Sequence, residues 1–447
     1  MAPNFFEGMD LSRTKRILFE CSDTWASDAH TGIQRVVRNI VKEAPGLADG
    51  FNVETVAVVV RFNRFWRAGK KPLMTLSRES WLYFLKEAYY KCKPFFIRLL
   101  PQGRIEHALV LWSGRLLSMV SGIIFFPLTF PFYFRPRIIP GTGDIIVLLD
   151  SSWRYPIWPA VKKAKKNGAV VGLVVYDIIP IMHHEFLPSA IVRRFSIWLE
   201  QAVQHADFFI GVSATVQIEL QKYLRQNHPH YLTDGRLGSF SLGCTLDNIS
   251  KNKLVDNGPK ELFKRTNMFI AVGTIEPRKN HHYLLDAFDL VWQECPDTGL
   301  CIIGTIGWLG EQVMHRIRTH PQYKHNLFMF NRMSDAELDY YYRHSKALIF
   351  PSLAEGFGLP IVEALHYGLP VFASDIPIHR EVGKDFCTYF DIRDPDCLAK
   401  IIIDIEKTGT LPHARSNKEY KPTTWKDSCE ELFTQVHTLS REKDLYG

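Results

Sequence analysis

The feature that most constrains this chain is a recurrent alternation of short apolar runs with segments of helical periodicity, sustained from Arg16 onward. A short run of branched and aromatic residues without polar alternation predicts a strand covered on both faces, as in a parallel sheet flanked by helices. The predicted fold class is therefore α/β. In a first block, I-L-F from Ile17 leads through a polar loop to a helix beginning near Thr31, whose Ile33, Val36, Val37, Ile40 and Val41 share one face. The runs V-E-T-V-A-V-V-V, I-I-V-L-L, A-V-V-G-L-V-V and D-F-F-I-G-V predict further strands. A second block opens with M-F-I-A-V-G at Met268 and continues through L-C-I-I-G, N-L-F-M-F, A-L-I-F and P-V-F-A-S, without repeating the first block's sequence.

A chain of 447 residues favours two or three domains, at roughly 100–200 residues each. The polar, aperiodic stretch 247–265 predicts the junction. The expected organisation is an N-terminal domain over 1–246, a linker over 247–265, a second domain over 266–424 and a C-terminal segment over 425–447. With 54 Lys and Arg against 47 Asp and Glu, the net charge of +7 is too slight for this length to imply nucleic-acid binding. Eight cysteines with neither a C-x-x-C pair nor zinc-like Cys/His spacing suit a reducing compartment. The acid-bearing start M-A-P-N-F-F-E-G-M-D lacks the basic and apolar regions of a secretory signal, so a cytoplasmic location is expected.

Over about 61–140 the rhythm breaks. Residues 61–104 carry eleven Lys or Arg and two acids, and 116–134 carry no charge at all. Pro127 and Pro131 would interrupt a helix there, and a single crossing would put the two blocks on opposite sides of a membrane, which argues against a transmembrane span. Two readings stay open. One is an apolar hairpin dipping into the membrane interface beside a basic surface over 61–137; the other is a buried subdomain that lacks charges.

Two motifs of the second block carry chemistry. The run A-L-I-F-P-S precedes L-A-E-G-F-G-L-P-I-V-E-A-L, which places Glu355 in a loop and Glu363 in a helix with Pro360 at its first position. Gly356 and Gly358 let amide N–H groups turn toward a ligand at a helix N-terminus, which attracts anions and suits a diphosphate. The two glutamates can reach different parts of one elongated ligand, and carboxylates bind hydroxyl pairs. The second motif, G-T-I-E-P-R-K-N from Gly273, follows the block's first strand, with Asn280 expected to cap the next helix. Arg278 and Lys279 then stand at the C-terminal edge of the sheet, where ligands of open α/β sheets gather. His281 and His282 read as surface at a helix start, and no spacing suits a metal ion. Neither block has G-x-G-x-x-G after its first strand, which argues against a dehydrogenase.

The pairing of G-T-I-E-P-R-K-N with E-G-F-G-L-P-I-V-E about eighty residues later resembles the retaining GT-B glycosyltransferases of family four. T-G-I-Q-R-V-V-R-N-I, Y-D-I-I-P and T-W-K-D-S-C-E-E-L extend the resemblance to the first block and the C-terminus, leaving the 61–140 insertion outside it. The resemblance implies two Rossmann-like domains facing across a cleft, with the helix near Trp425 crossing back to brace the first. It implies that Glu355 holds hydroxyls of a donor sugar, that Glu363 grips a ribose, and that the backbone N–H groups of Phe357, Gly358 and Leu359 contact sugar and phosphate. Lys279 matches the family's pyrophosphate lysine. The arginine that many relatives carry after the strand glycine would fall at Thr274, next to Gly273, so Arg278 is the candidate second cation. Gly32 matches a glycine turn near the donor phosphates, and Asp177, after Tyr176 where relatives often have histidine, faces the reacting centre. His183, His184 and His30 are acceptor-side candidates, and Arg332 and Met333 are candidate neighbours of the base.

The expected function is transfer of a sugar from a nucleotide diphosphate sugar, GDP-mannose by analogy, to a glycan or lipid-linked glycan of a surface polysaccharide, with no metal or other cofactor. A GT-B nucleotide-sugar epimerase and a non-catalytic glycan-binding membrane scaffold are the alternatives.

Overall fold

The computed structural model describes residues 14–27, 32–51, 53–69, 136–229, 236–244, 268–331, 333–411 and 419–441. The linker 247–265, the apolar run 116–134, most of the 61–140 insertion, and the candidates His30 and Arg332 lie outside them.

The described residues build two sheets. In the first, β1 (Arg16–Glu20), β2 (Glu54–Arg61), β5 (Asp144–Leu148), β6 (Val170–Val175), β7 (Phe208–Gly211) and β8 (Leu237–Ser239) run parallel, with β1 between β2 and β5. Two short strands, β3 (Arg64–Arg67) and β4 (Arg137–Ile138), extend the β2 edge antiparallel, giving the order β4-β3-β2-β1-β5-β6-β7-β8. They are the two ends of the insertion and fix its base to the sheet. The second sheet has β9 (Met268–Val272) between β10 (Gly299–Ile303) and β12 (Ala347–Phe350). Outside these lie β11 (Leu327–Phe330), β13 (Val371–Ser374) and β14 (Cys387–Phe390), and all neighbours are parallel.

Burial explains which strands are legible. Every residue of β5, β7, β10, β12 and β13 is buried, so each reads as an apolar run, with Asp144 and Ser374 as polar ends of β5 and β13. β3, β8 and β14 carry half-exposed or polar positions at or near sheet edges, and their sequences give no such signal. The helix Gly32–Phe51 buries Val36, Val37 and Ile40 on the face that its periodicity predicts.

The helix Trp425–Arg441 packs into the core of the first sheet, although it follows the second sheet in sequence. Its Trp425, Cys429, Leu432, Phe433, Val436 and Leu439 form one buried stripe, set against the same core as Ile40. Each large side chain buried this way contributes roughly 1.5–3 kcal/mol, so the stripe anchors the C-terminal segment to the N-terminal domain. The domains also touch across the cleft: Ser213 Oγ donates to Gly356 O at 2.9 Å, and Arg35 pairs with Glu363 at 2.6 Å.

Candidate active site

The C-terminal wall of the cleft is built where two neighbouring strands end. Because β9 and β12 are adjacent and parallel, the loops leaving them emerge on the same sheet edge, and residues 76 positions apart in sequence meet there. Glu355 follows β12; Arg278 and Lys279 lie in the single 3-10 turn Pro277–Lys279 after β9. The Glu355 carboxylate accepts from Lys279 Nζ through one oxygen and from Arg278 Nη1, at 2.6 Å, through the other. Arg278 also pairs with Glu276 at 2.7 Å and donates to Ala354 O at 3.2 Å. Gly273 makes room for this arrangement: a Cβ there would sit 3.2 Å from Lys279 Cε.

Two carboxylates therefore face two cations in a buried cluster. Burial alone would raise the Glu355 carboxyl, but Arg278 and Lys279 prevail and hold it at about 2. Burial lowers the Lys279 ammonium below its ordinary range, opposed by Glu355. It works against the Arg278 charge as well, yet Glu355, Glu276 and Asp177 keep that guanidinium above its ordinary value. The cluster is a preformed patch of paired charge at a sheet edge.

The loop carrying Glu355 uses its two glycines differently. Gly358 has φ +96 and turns the chain into the helix Leu359–His366, in which Leu359 is the first residue and Pro360 the second. Gly356 is instead a point of contact between domains, since a Cβ there would lie 1.8 Å from Tyr176 O. Phe357 and Leu359 pack against the cores of both domains. Gly32, at the start of its helix, faces this loop, with Leu359 Cδ1 only 3.5 Å from where a Cβ would be. Glu363 is buried, with Arg35 Nη1 of the N-terminal domain 2.6 Å from one oxygen and Tyr342 OH donating to the other at 2.8 Å.

The N-terminal wall has a different chemistry. A cavity of about 210 Å³ between the domains is lined by Asp150, Trp153, Asp177, Phe195 and Trp198 from one side and by Glu276, Arg278 and Trp308 from the other, among further residues. Asp177 follows β6, accepts from Ile179 N at 3.1 Å, and has its carboxyl raised by burial against the pull of Arg278. Behind this wall, Glu20 accepts from Tyr155 OH at 2.6 Å and Ser22 N at 2.7 Å. Burial, then the nearby Asp150, lift Glu20 to about 7. Asp150 accepts from Thr24 N at 2.6 Å and Ser151 N at 2.8 Å, and burial raises it too.

Among the residues singled out from sequence, the structure brings together Gly273, Arg278, Lys279 and Glu355, with Asp177 facing Arg278 from the other domain. Thr274 lies against the loop at Gly307. His184 is exposed and His183 half-buried; both engage Glu185, and neither is among the residues lining the cavity. Met333 packs on the core of the second sheet. Asn280 occupies the position before the helix His281–Glu294, but its backbone is left-handed (φ +54) and its side chain makes no capping bond. His281 is buried rather than at the surface, and burial drives its imidazole down to about 3. No group of three His, Cys, Asp or Glu side chains among the described residues is gathered as a metal ion would need.

Sequence reasoning missed Glu276, Asp150, Trp153, Trp308, Arg35 and Glu381. Glu276 stands inside the recognised G-T-I-E-P-R-K-N motif, and Arg35 inside T-G-I-Q-R, so both were within reach. Glu20 and Asp150 sit at the ends of apolar strands, where a lone acid after a buried run is the available signal.

The family model described as Glycosyl transferases group 1 matches residues 255–422. The serotype-specific mannosyltransferase WbdA of Escherichia coli is 36% identical over 312 residues, covering 68% of this chain and 38% of WbdA, so the chain spans less than half the length of that relative. The O-antigen chain mannosyltransferase RfbU of Salmonella typhimurium is 24% identical over 63% of this chain and 77% of its own. Among solved structures, Anabaena HepE in complex with UDP and glucose superposes with a TM-score of 0.52 over 97% of this chain and 99% of its own at 14% identity, a likeness of fold. With one largely parallel and one wholly parallel sheet meeting at a cleft and cations and carboxylates gathered at the edge of the second, the chain has the GT-B architecture and carries a Glycosyl transferases group 1 domain over residues 255–422.

Proposed function

We propose that the chain is a retaining glycosyltransferase that moves a sugar, with mannose first among the candidates, from a nucleotide diphosphate donor such as GDP-mannose to a glycan hydroxyl in surface polysaccharide synthesis. The observation that carries this is the convergence of Arg278 and Lys279 on Glu355 at the adjoining ends of β9 and β12. The names of two relatives, a serotype-specific mannosyltransferase and an O-antigen chain mannosyltransferase, support the choice of sugar and context.

Departure of a nucleoside diphosphate builds negative charge on its β-phosphate, and preorganised cations that need no rearrangement stabilise it best. Glu355 holds Lys279 and Arg278 at one spot before any ligand arrives, and it remains ionised because of them. In this mechanism the same carboxylate also receives donor-sugar hydroxyls, while backbone N–H groups of Phe357, Gly358 and Leu359 meet sugar and phosphate. Glu363 takes the ribose, and Gly32 closes the phosphate side opposite Leu359. Asp177 faces the acceptor from the N-terminal wall. The leaving phosphate itself takes the acceptor proton, so the reaction requires neither a protein base nor a metal ion.

The basic, apolar stretch 61–137 would hold the enzyme at the inner face of a membrane, where lipid-linked glycans are presented. No helix among the described residues is long and apolar enough to cross a membrane. A thermal-shift screen of nucleotide sugars tests the donor assignment: one nucleoside diphosphate sugar should raise Tm by several degrees. A protein that binds none of them would not be a transferase of this kind.

A further inference from the structure

We propose that Trp308 is a specificity-determining residue for the acceptor, forming the wall that the C-terminal domain adds to the interdomain cavity and receiving the apolar face of the acceptor's terminal sugar ring. The proposal rests on the transferase reading above and adds to it the residue that recognises the second substrate.

Trp308 lies in G-T-I-G-W-L-G, residues 304–310, where glycine recurs at every third position. The spacing has a structural cause. A Cβ on Gly304 would lie 1.8 Å from Gly273 O, and one on Gly310 would lie 2.4 Å from Ile275 O, so the loop rests directly on the turn that leads to Arg278 and Lys279. Ile275 N donates to Thr305 O at 2.8 Å, and Gly307 N donates to Ile275 O at 2.9 Å. The indole is thereby held at a fixed place relative to the donor-side cations. It is 41% exposed, so part of the ring stays open to contact.

From that seat Trp308 reaches the other domain. Its ring stands edge-on to Trp153, with centroids 6.4 Å apart, and Trp153 is backed by Phe195 at 6.1 Å. These three rings line the cavity of about 210 Å³, together with Asp177 and Glu276. That is below the range of roughly 300–1,000 Å³ usual for drug-sized ligands, which favours a single ring over an extended chain. Aromatic faces beside carboxylates match a pyranose, which has a C–H face and a rim of hydroxyls. Because the walls come from both domains, the subsite is complete only while they touch.

The test measures initial rates with the donor identified by the thermal-shift screen, using octyl α-mannopyranoside as the acceptor probe. It compares wild type, Trp308→Ala and Trp308→Phe, and records acceptor-independent release of nucleotide from each. Trp308→Ala should raise the acceptor KM by about tenfold, the worth of one aromatic stacking contact, and leave donor KM and nucleotide release within about twofold. Trp308→Phe should restore most of the loss. An unchanged acceptor KM in Trp308→Ala, or an equal change in donor KM and nucleotide release, overturns the proposal while leaving the transferase reading intact. A wild-type protein that neither binds nor turns over any nucleotide sugar overturns both.

Discussion

The two walls of the cleft use charge in opposite ways. On the C-terminal wall every carboxylate meets a cation: Glu276 and Arg278, Arg278 and Glu355, Glu355 and Lys279. On and behind the N-terminal wall, Glu20 and Asp150 are buried and Asp177 half-buried, with backbone N–H and hydroxyl donors in place of paired cations, and all three are raised above the ordinary carboxylate range, chiefly by desolvation. A wall of paired charges keeps its ionic character in a desolvated site and suits a highly charged ligand. A wall of hydrogen-bonded carboxyls suits a neutral, hydroxyl-rich one. In the proposed reaction the first side takes the phosphate and the second the acceptor sugar.

The largest expected effect breaks the charged wall. Lys279→Ala removes a cation from the place where, in the proposed reaction, leaving-group charge develops, while Glu355 keeps Arg278, so the cluster should survive and catalysis should not. Removal of one preorganised electrostatic partner typically costs about 10²–10³ in kcat, and that range is expected for transfer measured at saturating donor and acceptor. Near-normal turnover in Lys279→Ala would mean that the paired wall is merely structural.

The opposite wall is tested through its pH dependence. Burial and then Asp150 lift Glu20 from the usual 4.5 to about 7. A carboxyl raised in the folded state favours folding fully below its unfolded pKa, and that contribution is lost as pH rises through its folded pKa. Stability should therefore decline as pH rises from about 4.5 through about 7, a fall that belongs to the Glu20–Asp150 pair. Glu20→Gln is neutral throughout and should flatten the decline. Urea midpoints at pH 5 and pH 8 measure the difference, and an unchanged slope in the variant would show that Glu20 is not the group responsible.

The same contrast explains what could be read from the sequence. The charged wall comes from Glu276–Lys279, contiguous in the chain, and from a loop with its own glycine pattern, so both halves are visible as motifs and parallel α/β topology joins them. The interior strands were equally legible because both their faces are buried. The N-terminal wall and the carboxyl behind it are assembled from single residues at the ends of β1, β5 and β6, at positions 20, 150 and 177, and no local pattern links them. Gly356 carries a related lesson. The sequence shows that glycine suits a ligand-facing loop, but only the folded pair of domains reveals that Tyr176 O occupies the place of its missing side chain.

The smallest expected effect sharpens how the two walls are held together. The helix Ala214–Asn227 of the N-terminal domain begins at Ser213, whose hydroxyl accepts from Val216 N at 3.1 Å and donates to Gly356 O at 2.9 Å. Its next free amides are satisfied from the other domain: Glu381 accepts from Ala214 N and Thr215 N, each at 2.8 Å, and from Thr215 Oγ1 at 2.5 Å. A carboxylate at a helix N-terminus gains from the helix dipole as well as from its hydrogen bonds, so Glu381 acts as a charged clasp beside the Glu355 loop. Glu381→Gln keeps one acceptor oxygen and loses the charge, at a cost of about 1–2 kcal/mol to the closed arrangement. Small-angle scattering should then record a larger radius of gyration without ligand, largely reversed by the nucleotide sugar, with kcat/KM lower by about tenfold or less. If scattering and kinetics both match wild type, the clasp contributes nothing to closure. The Ser213–Gly356 contact and the Arg35–Glu363 pair would then be what brings the acceptor wall to the charged one.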